Sequence, residues 1–462
     1  MIYKLRPYQE ECVKSISDYI NSDRHDPVLI VGPVGCGKSL LIAEAARLMG
    51  DKTLILQPSK ELLQQNHNKI TSYGIPATIY SASCGKKELS NMIYATLGSI
   101  TKVVGQLKEM GIRNVLIDEA HAGYSPEDGS EFMTCMNELK PKKVIGFTAT
   151  PCRLKTMSIG QVSYSQLNFI TRMRPVYFKN LIHVIQVEEM IRQGFWTPLK
   201  YETWDFNGDA LKLNSNGSEY TAESISEAVR KNGLNNLILR RLMVLKDVCR
   251  SILVFMDSVE SCNTAAEWMN AKICAGMAEV VHGGTPKKQR EAIVEGFKSG
   301  KTKVVFNYSA LGTGFDHPGL DCVIVGRPTF SFSSFYQWLG RAVRIKDGKD
   351  SALVVDCCNN SSRFGDIRKL SIENYKGYGW GMFIGDKLIT NIPMGDKVTK
   401  TDLDIKAAKK DRRRGLAQGV TAAPVPGRPD HPLGSTVMTF GKYCGWMFHS
   451  IPVSYFKFIN ET

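Results

Sequence analysis

No stretch of the chain reaches 18 consecutive apolar residues, so no segment reads as a membrane-spanning helix. The opening Met1-Ile-Tyr-Lys-Leu-Arg-Pro-Tyr has no apolar h-region, and a secretory signal is not expected. There is no C-x-x-C pair, and the eight histidines show no metal-ligand spacing, which speaks against a metal site built from protein ligands alone. The twelve cysteines are scattered, Cys12, Cys36, Cys84 and Cys135 among them, and the only close pair is Cys357-Cys358. Scattered thiols without a secretion signal read as reduced core residues of a cytosolic protein. No repeat of fixed period is visible, and 43% hydrophobic and 23% charged residues over 462 positions are ordinary for a globular chain. That excludes a disordered tail protein, a collagen-like repeat and a coiled-coil rod.

What the chain has is positive charge. Lys and Arg number 59 against 45 Asp and Glu, a net charge of +14. Such an excess suits a polyanionic partner, because cations that neutralise phosphates release condensed counterions; a merely basic enzyme fits the composition as well. From residue 361 onward 16 basic residues face nine acidic ones, so half of the net charge lies in the last 102 residues.

Short apolar runs alternate with helical patterns. Val28–Val31 precedes a helix-like Ser39–Met49, Thr53–Leu56 precedes Lys60–Asn66, and Val115–Asp118 and Val144–Phe147 read as further buried strands. The rhythm resumes with Ser251–Phe255, Lys303–Phe306, Cys322–Val325 and Ala352–Asp356. This alternation predicts an α/β fold with parallel sheets flanked by helices. Residues from about 152 to 250 read as a more helical, irregular connection. The predicted organisation is a first α/β domain over 1–200, a second over 201–360 that includes the connecting segment, and a basic accessory region over 361–462. That region holds a Gly/aromatic stretch with Tyr375, Tyr378 and Trp380, a basic run Lys406–Arg414, a Pro/Gly-rich linker and a short apolar tail. The aromatics suit either a small hairpin or base stacking, and the basic run either duplex phosphates or a solvated linker.

Gly32-Pro-Val-Gly35-Cys-Gly37-Lys38-Ser39 fits the P-loop (Walker A) pattern with a strand before it and a helix after it. Its glycines let backbone N–H groups curl round an anion at a helix N-terminus. Lys38 would reach the β/γ-phosphates of ATP and Ser39 would place its hydroxyl on Mg²⁺. Asp118-Glu119-Ala-His121 closes a second apolar strand. Asp118 is the expected second Mg²⁺ contact, through water, and Glu119 would orient or deprotonate the attacking water. In Gln337-Trp-Leu-Gly-Arg341-Ala-Val-Arg344 the two arginines fall at i and i+3, on one face if helical. They suit an arginine finger, or else a solvated basic helix.

Taken together these pieces resemble the superfamily 2 helicases and translocases, in family order from residue 6 to about 356. Arg6-Pro-Tyr-Gln9 looks like the Q motif, Gly32–Ser39 motif I and Gln57–Glu61 motif Ia. Thr96–Ser99 is similar to the next nucleic-acid-contacting motif, Asp118–His121 to a DEAH-type motif II, and Thr148-Ala-Thr150 to motif III. Leu253–Asp257 and His282–Gly284 resemble motif IV and its neighbour, Ala310–Asp316 motif V and Gln337–Arg344 motif VI. The resemblance implies two tandem RecA-like domains with ATP in their cleft and nucleic acid across both. It implies nucleotide contacts at Arg6, Gln9, Gly32, Gly35, Gly37, Lys38, Ser39, Asp118, Glu119, Gly314, Asp316, Gln337, Arg341 and Arg344. It further implies DNA contacts at Ser59, Lys60, Ser99 and Thr313, and coupling through His121, Thr148 and Thr150.

The opening Leu5–Gln9 and the DEAH box look most like RadD- and UvsW-type DNA helicases and phage branch-migration helicases. His121 and Gln337 depart from the DEAD-box RNA helicases. The implied partner is single-stranded, forked or branched DNA rather than RNA or a membrane. A monomer in the cytoplasm is expected, the host's if the gene is a phage's. A restriction-type motor subunit shares the same opening; the nuclease-like Pro126–Asp128 with Glu138-Leu-Lys140 lies inside the motor and reads as part of it. The tail, Met438–Tyr443 with Gly445, Ile451-Pro452 and Tyr455, is similar to a small phage and bacterial domain of unknown function.

Overall fold

β-branched and leucine-rich runs of four residues, buried along their whole length, set the first sheet. β1 (Val28–Val31), β2 (Thr53–Leu56), β5 (Met92–Ala95) and β6 (Asn114–Ile117) are buried at every position, as strands covered by helices on both faces must be. β3 (Thr78–Ser81), β4 (Lys86–Lys87), β7 (Lys143–Thr148) and β10 (Asn180–Val184) complete it in the order β10-β1-β7-β6-β2-β5-β3-β4. All neighbours run parallel except β4, which pairs antiparallel with β3 at the edge. The structure, a computed structural model, describes residues 4–50, 52–159, 162–311 and 315–417; residues 158, 159, 162, 163 and 409–417 are described by backbone alone.

A second, wholly parallel sheet has the order β11-β16-β15-β12-β14-β13. Its strands are β11 (Leu199–Thr203), β12 (Ile252–Phe255), β13 (Ala278–His282), β14 (Val304–Tyr308), β15 (Cys322–Val325) and β16 (Ala352–Asp356). Its apolar face shares one continuous core with the first sheet, reaching Leu253, Val305 and Val323. Each fully buried Val, Leu or Ile side chain contributes roughly 1.5–3 kcal/mol.

The connection between the sheets departs from the helical reading. Its first part is a two-stranded antiparallel hairpin, β8 (Cys152–Ile159) with β9 (Val162–Phe169), in unbroken register from Cys152↔Phe169 to Ile159↔Val162. Ser165, Leu167 and Phe169 are buried on one face and Asn168 is buried on the other, and serines and threonines dilute the alternation so that it escapes a search for apolar runs. β10 then joins the edge of the first sheet and β11 the edge of the second. The expected helices are Val187–Arg192, Ala222–Lys231 and Leu234–Val248.

Beyond β16 the chain turns back. β17 (Leu370–Tyr375), β18 (Gly379–Ile384) and β19 (Lys387–Leu388) are successive neighbours in a small sheet. Gln186 exchanges two hydrogen bonds with the backbone of Ile372, and the N–H groups of Asn391 and Met394 donate to Leu167 and Ser165 of β9. The compact unit that holds both sheets runs through Asn374 and takes in Trp380–Val398, so the boundary expected at residue 361 falls inside it. Residues 375–379 and the described residues from Thr399 form a second unit. There the helix Lys400–Ala417 carries the basic run, and Tyr375 Oη donates to Asp404. Among the described residues no helix is long and apolar enough to cross a membrane. The tail resembling a small phage domain lies outside the described residues.

Candidate functional site

At the carboxyl end of β1 the chain enters the glycine loop and then the helix Lys38–Met49. Gly35 and Gly37 have φ of +81° and +83°, a left-handed backbone that glycine adopts without strain. The Cys36 carbonyl accepts from Tyr8 Oη at 3.2 Å and from Gln9 Nε2 at 2.9 Å. A trans peptide points its N–H opposite its C=O, so these bonds turn the Gly37 amide toward the cleft. Gln9 Oε1 accepts from the Arg6 backbone N–H at 3.0 Å, and the Arg6 guanidinium stacks on Phe195 at 4.6 Å. Gln9 thus braces the loop while lining the cleft beside Arg6.

Asp118 and Glu119 stand at the end of β6, facing Lys38. Glu119 has φ +44°, a strained value for a residue with a Cβ. The backbone there is pinned on both sides, Asp118 N–H donating to Leu56 and Ala120 N–H to Phe147. Asn66 Nδ2 donates to Asp118 Oδ2 at 2.9 Å and to Gln57 Oε1 at 3.0 Å. Lys38 Nζ lies 3.5 Å from Glu119 Oε1. Burial, and then the Glu119 charge, push the Asp118 carboxyl up from its ordinary value. Burial also opposes charge on Glu119, but Lys38, His121 and Arg341 outweigh it and hold that carboxyl down. Lys38 is likewise desolvated, yet Glu119, Cys36 and Asp118 raise it. The pair is therefore asymmetric, with the stable negative charge on Glu119 beside the lysine.

The second sheet presents Asp316, Gln337, Arg341 and Arg344 to the same cleft. The arginines do not share a helical face, contrary to their spacing. The helix Phe332–Leu339 stops at Gly340, and Arg341 and Arg344 sit on the turn that follows. The turn is held by tight bonds from Arg341 N–H to Trp338 and from Ala342 N–H to Leu339. Beyond the helix the carbonyls bond outside the segment: Ala342 and Arg344 accept from Lys349 Nζ at 2.7 and 2.8 Å, and Val343 from the Thr197 N–H at 2.8 Å. Arg341 Nη1 donates to the Phe315 carbonyl at 2.7 Å, and Arg344 is ion-paired with Asp316. Burial lowers both guanidinium groups to about 10. Each remains a cation at neutral pH.

His121, Thr148 and Thr150 meet behind the carboxylates, His121 Nδ1 lying 2.8 Å from Thr148 Oγ1. Ser59 caps the helix Lys60–Thr71 by accepting from Leu62 N–H. Ser99 Oγ accepts from Ala82 N–H and lies 2.9 Å from Thr96 Oγ1. Ser59 and Lys60 open the helix after β2 and Ser99 lies in the helix Leu97–Ile100 after β5, behind strands three and four places from β1 in the sheet order, while Thr313 and Gly314 lie outside the described residues.

Asn66, Trp196, Thr197, Ser333 and Lys349 were not marked by sequence motifs. Asn66 had a signal, a polar residue in the buried register of Leu63 and Ile70 on one helical face. Lys349, inside Asp347-Gly-Lys-Asp350, reads as a surface turn.

The cleft encloses about 500 Å³. A loop of left-handed glycines, a half-buried lysine, a serine at a helix N-terminus and a carboxylate pair match the donor set that a nucleoside triphosphate with Mg²⁺ requires. A Cβ at Gly37 would displace Gln9 Nε2, 2.6 Å away, and the φ of +83° would strain any residue that carries one.

Residues 2–153 match the family described as type III restriction enzyme, res subunit, and residues 234–346 the helicase conserved C-terminal domain. A 51.5 kDa protein of a Lactococcus phage is 25% identical over 332 residues, 71% of this chain and 65% of that one. The putative ATP-dependent helicase IRC3 of Saccharomyces cerevisiae is 24% identical over 280 residues, 60% of this chain and 38% of the relative. Its namesake, the putative mitochondrial ATP-dependent helicase of Schizosaccharomyces pombe, is 25% identical, covering 78% and 58%. The chain thus spans less than two thirds of the length of these relatives. Among solved structures, a fragment of a putative HsdR subunit of a type I restriction enzyme from Vibrio vulnificus superposes with a TM-score of 0.57 at 18% identity, covering 78% of this chain and 65% of that one. The type ISP restriction-modification enzyme LlaBIII bound to DNA gives 0.55 at 15%, covering 76% and 27%. These likenesses identify the two sheets as tandem RecA-like folds. With one helicase family matched on each half, in the order of the two sheets, the chain is a member of the superfamily 2 helicases.

Proposed function

We propose that the chain is an ATP-dependent DNA helicase or translocase that unwinds or branch-migrates forked and junction DNA in replication, recombination or repair. The observation that carries the reading is the convergence, in one cleft, of the phosphate loop and the Asp118–Glu119 pair from one sheet with Arg341 and Arg344 from the other. In this reading Arg6 and Gln9 face the base, and the amides of Gly32–Gly37 with Lys38 hold the phosphates. Ser39, and Asp118 through water, would hold Mg²⁺. ATP supplies a transferable γ-phosphoryl group. Glu119, kept ionised by Lys38, accepts a proton from water, and the two arginines offset charge that develops on the phosphoryl oxygens, a contribution of about 10³–10⁵ in rate. Because the two sets of groups come from different sheets, turnover and lobe separation are linked, which is what movement along a strand requires.

DNA is favoured over RNA by His121 and Gln337, which depart from the DEAD-box RNA helicases, and the RadD- and UvsW-like subgroup by the DEAH-type motif and the Leu5–Gln9 opening. The protein is read as a monomer acting in the cytoplasm, the host's if phage-encoded. A second reading, a restriction-type motor that travels on duplex DNA without separating strands, is favoured by the match to a res subunit and by the restriction-enzyme structural neighbours. Turnover measured with single-stranded, duplex, forked and four-way DNA and structured RNA, alongside strand displacement, tests the proposal. Fork- or junction-stimulated turnover with displacement is expected. Duplex-stimulated turnover without displacement selects the second reading, tight binding and turnover without any movement makes the ATPase a gate for attachment, and stimulation by RNA alone overturns the DNA assignment.

A further inference from the structure

Two adjacent residues in the segment between β10 and β11 reach both sides of the cleft. Trp196 is buried, and its indole Nε1 donates to the Val34 carbonyl, inside the phosphate loop, at 2.9 Å. Thr197, also buried, donates twice to the arginine turn, N–H to Val343 at 2.8 Å and Oγ1 to Arg344 at 2.7 Å. We propose that Trp196–Thr197 is a positioning clasp, Trp196 setting the phosphate loop for nucleotide binding and Thr197 setting the arginine turn for turnover. The proposal rests on the nucleotide reading of the cleft.

Three physical points support it. Peptide geometry turns the Gly35 N–H away from the Val34 carbonyl, so an indole pulling that carbonyl outward aims the amide at the cleft. Tyr8 and Gln9 do the same at Cys36, which makes Trp196 the counterpart on the other side of the loop. On the arginine turn, the Val343 and Arg344 carbonyls lie beyond the end of the helix, and Thr197 donates to both, which fixes the backbone that carries Arg344. Finally, the loop and the turn already touch. A Cβ on Gly340 would come within 2.5 Å of Val34, and one on Gly35 within 3.3 Å of Val343. Small shifts of the clasp therefore pass directly to the groups around the phosphate site.

The experiment uses the full chain with Trp196→Phe, Thr197→Val and Thr197→Ser. It measures kcat and KM for ATP at saturating forked DNA, binding of a fluorescent ATP analogue, and thermal melting. Thr197→Val is expected to lower kcat roughly five- to tenfold while affinity for the analogue stays within about twofold, and Thr197→Ser to restore kcat. Trp196→Phe, which keeps the bulk and loses the donor, is expected to weaken analogue binding roughly fivefold without a shift in melting. Unchanged kcat in Thr197→Val, or unchanged affinity in Trp196→Phe, overturns the clasp. So does a loss of kcat and affinity that follows lowered melting and is not rescued by serine. Should Thr197→Val fail to fold, the Trp196→Phe measurement decides alone. Wild-type turnover that vanishes in Lys38→Ala establishes the nucleotide reading separately; a wild type without turnover overturns that reading and the clasp with it.

Discussion

Nε2 of His121 lies 3.2 Å from Oγ of Ser333, joining the carboxylate strand of the first sheet to the helix that leads into the arginine turn of the second. Ser333 Oγ is also 3.2 Å from Thr150 Oγ1, and the other ring nitrogen of His121 faces Thr148. Burial lowers the His121 imidazole below its ordinary value against the opposing charge of Glu119, whose Oε2 lies 3.4 Å from Nδ1, and the neutral ring has a single N–H to share among these neighbours. A contact of this kind can be exchanged between neighbours at little cost as the lobes move. Ser333→Ala is expected to keep at least half of the DNA-stimulated turnover and to reduce strand displacement per ATP roughly three- to tenfold. Parallel loss of both rates would remove the coupling role.

Lys38→Ala should retain DNA binding and abolish turnover; DNA-stimulated hydrolysis near the wild-type rate would refute the phosphate site. Glu119→Gln keeps the shape of the side chain and removes its basic oxygen, so turnover should fall by about 10²–10⁴ with nucleotide binding preserved. Comparing steady-state turnover with equilibrium binding separates the two variants.

Lys349 donates to three carbonyls, Pro318, Ala342 and Arg344. Burial lowers it from 10.5 to about 8; Asp321 opposes the shift, while Arg250, Arg344 and Lys346 add to it. Above pH 8 the amine has two donors for three carbonyls, and turnover should decline along an alkaline limb centred there that Lys349→Met lacks. The sign of the stability effect is opposite. Because the folded value lies below the unfolded one, the unfolded chain binds more protons between pH 8 and 10.5, and the part of stability linked to Lys349 rises with pH in that window. Turnover falling while melting temperature does not is the expected signature; a limb that persists in Lys349→Met assigns it elsewhere.

In the helix Lys400–Ala417 the run from Lys406 to Arg414 concentrates positive charge. Reversing three of its charges should weaken DNA binding and reduce the slope of log affinity against log salt by about two to three. An unchanged slope would make the helix a spacer.

The residues alone determined the motor core. The phosphate loop, the Asp118–Glu119 strand end and the alternation of buried strands with helices are patterns whose chemistry and backbone geometry lie within a few consecutive positions. Spacing misplaced Arg341 and Arg344 on a helix because the contacts that hold the segment after Gly340, Thr197 with Val343 and Lys349 with Ala342, come from outside the run itself. It missed the β8–β9 hairpin because serines and threonines dilute its alternation. Tertiary structure alone decided the rest. Asn66 reaches Asp118 across 52 positions, Trp196 reaches Val34 across 162, and His121 reaches Ser333 across 212. Contacts of that range depend on strand order and on which faces are buried together. Short motifs state what chemistry is present, and the packing of two sheets determines which distant side chains aim it.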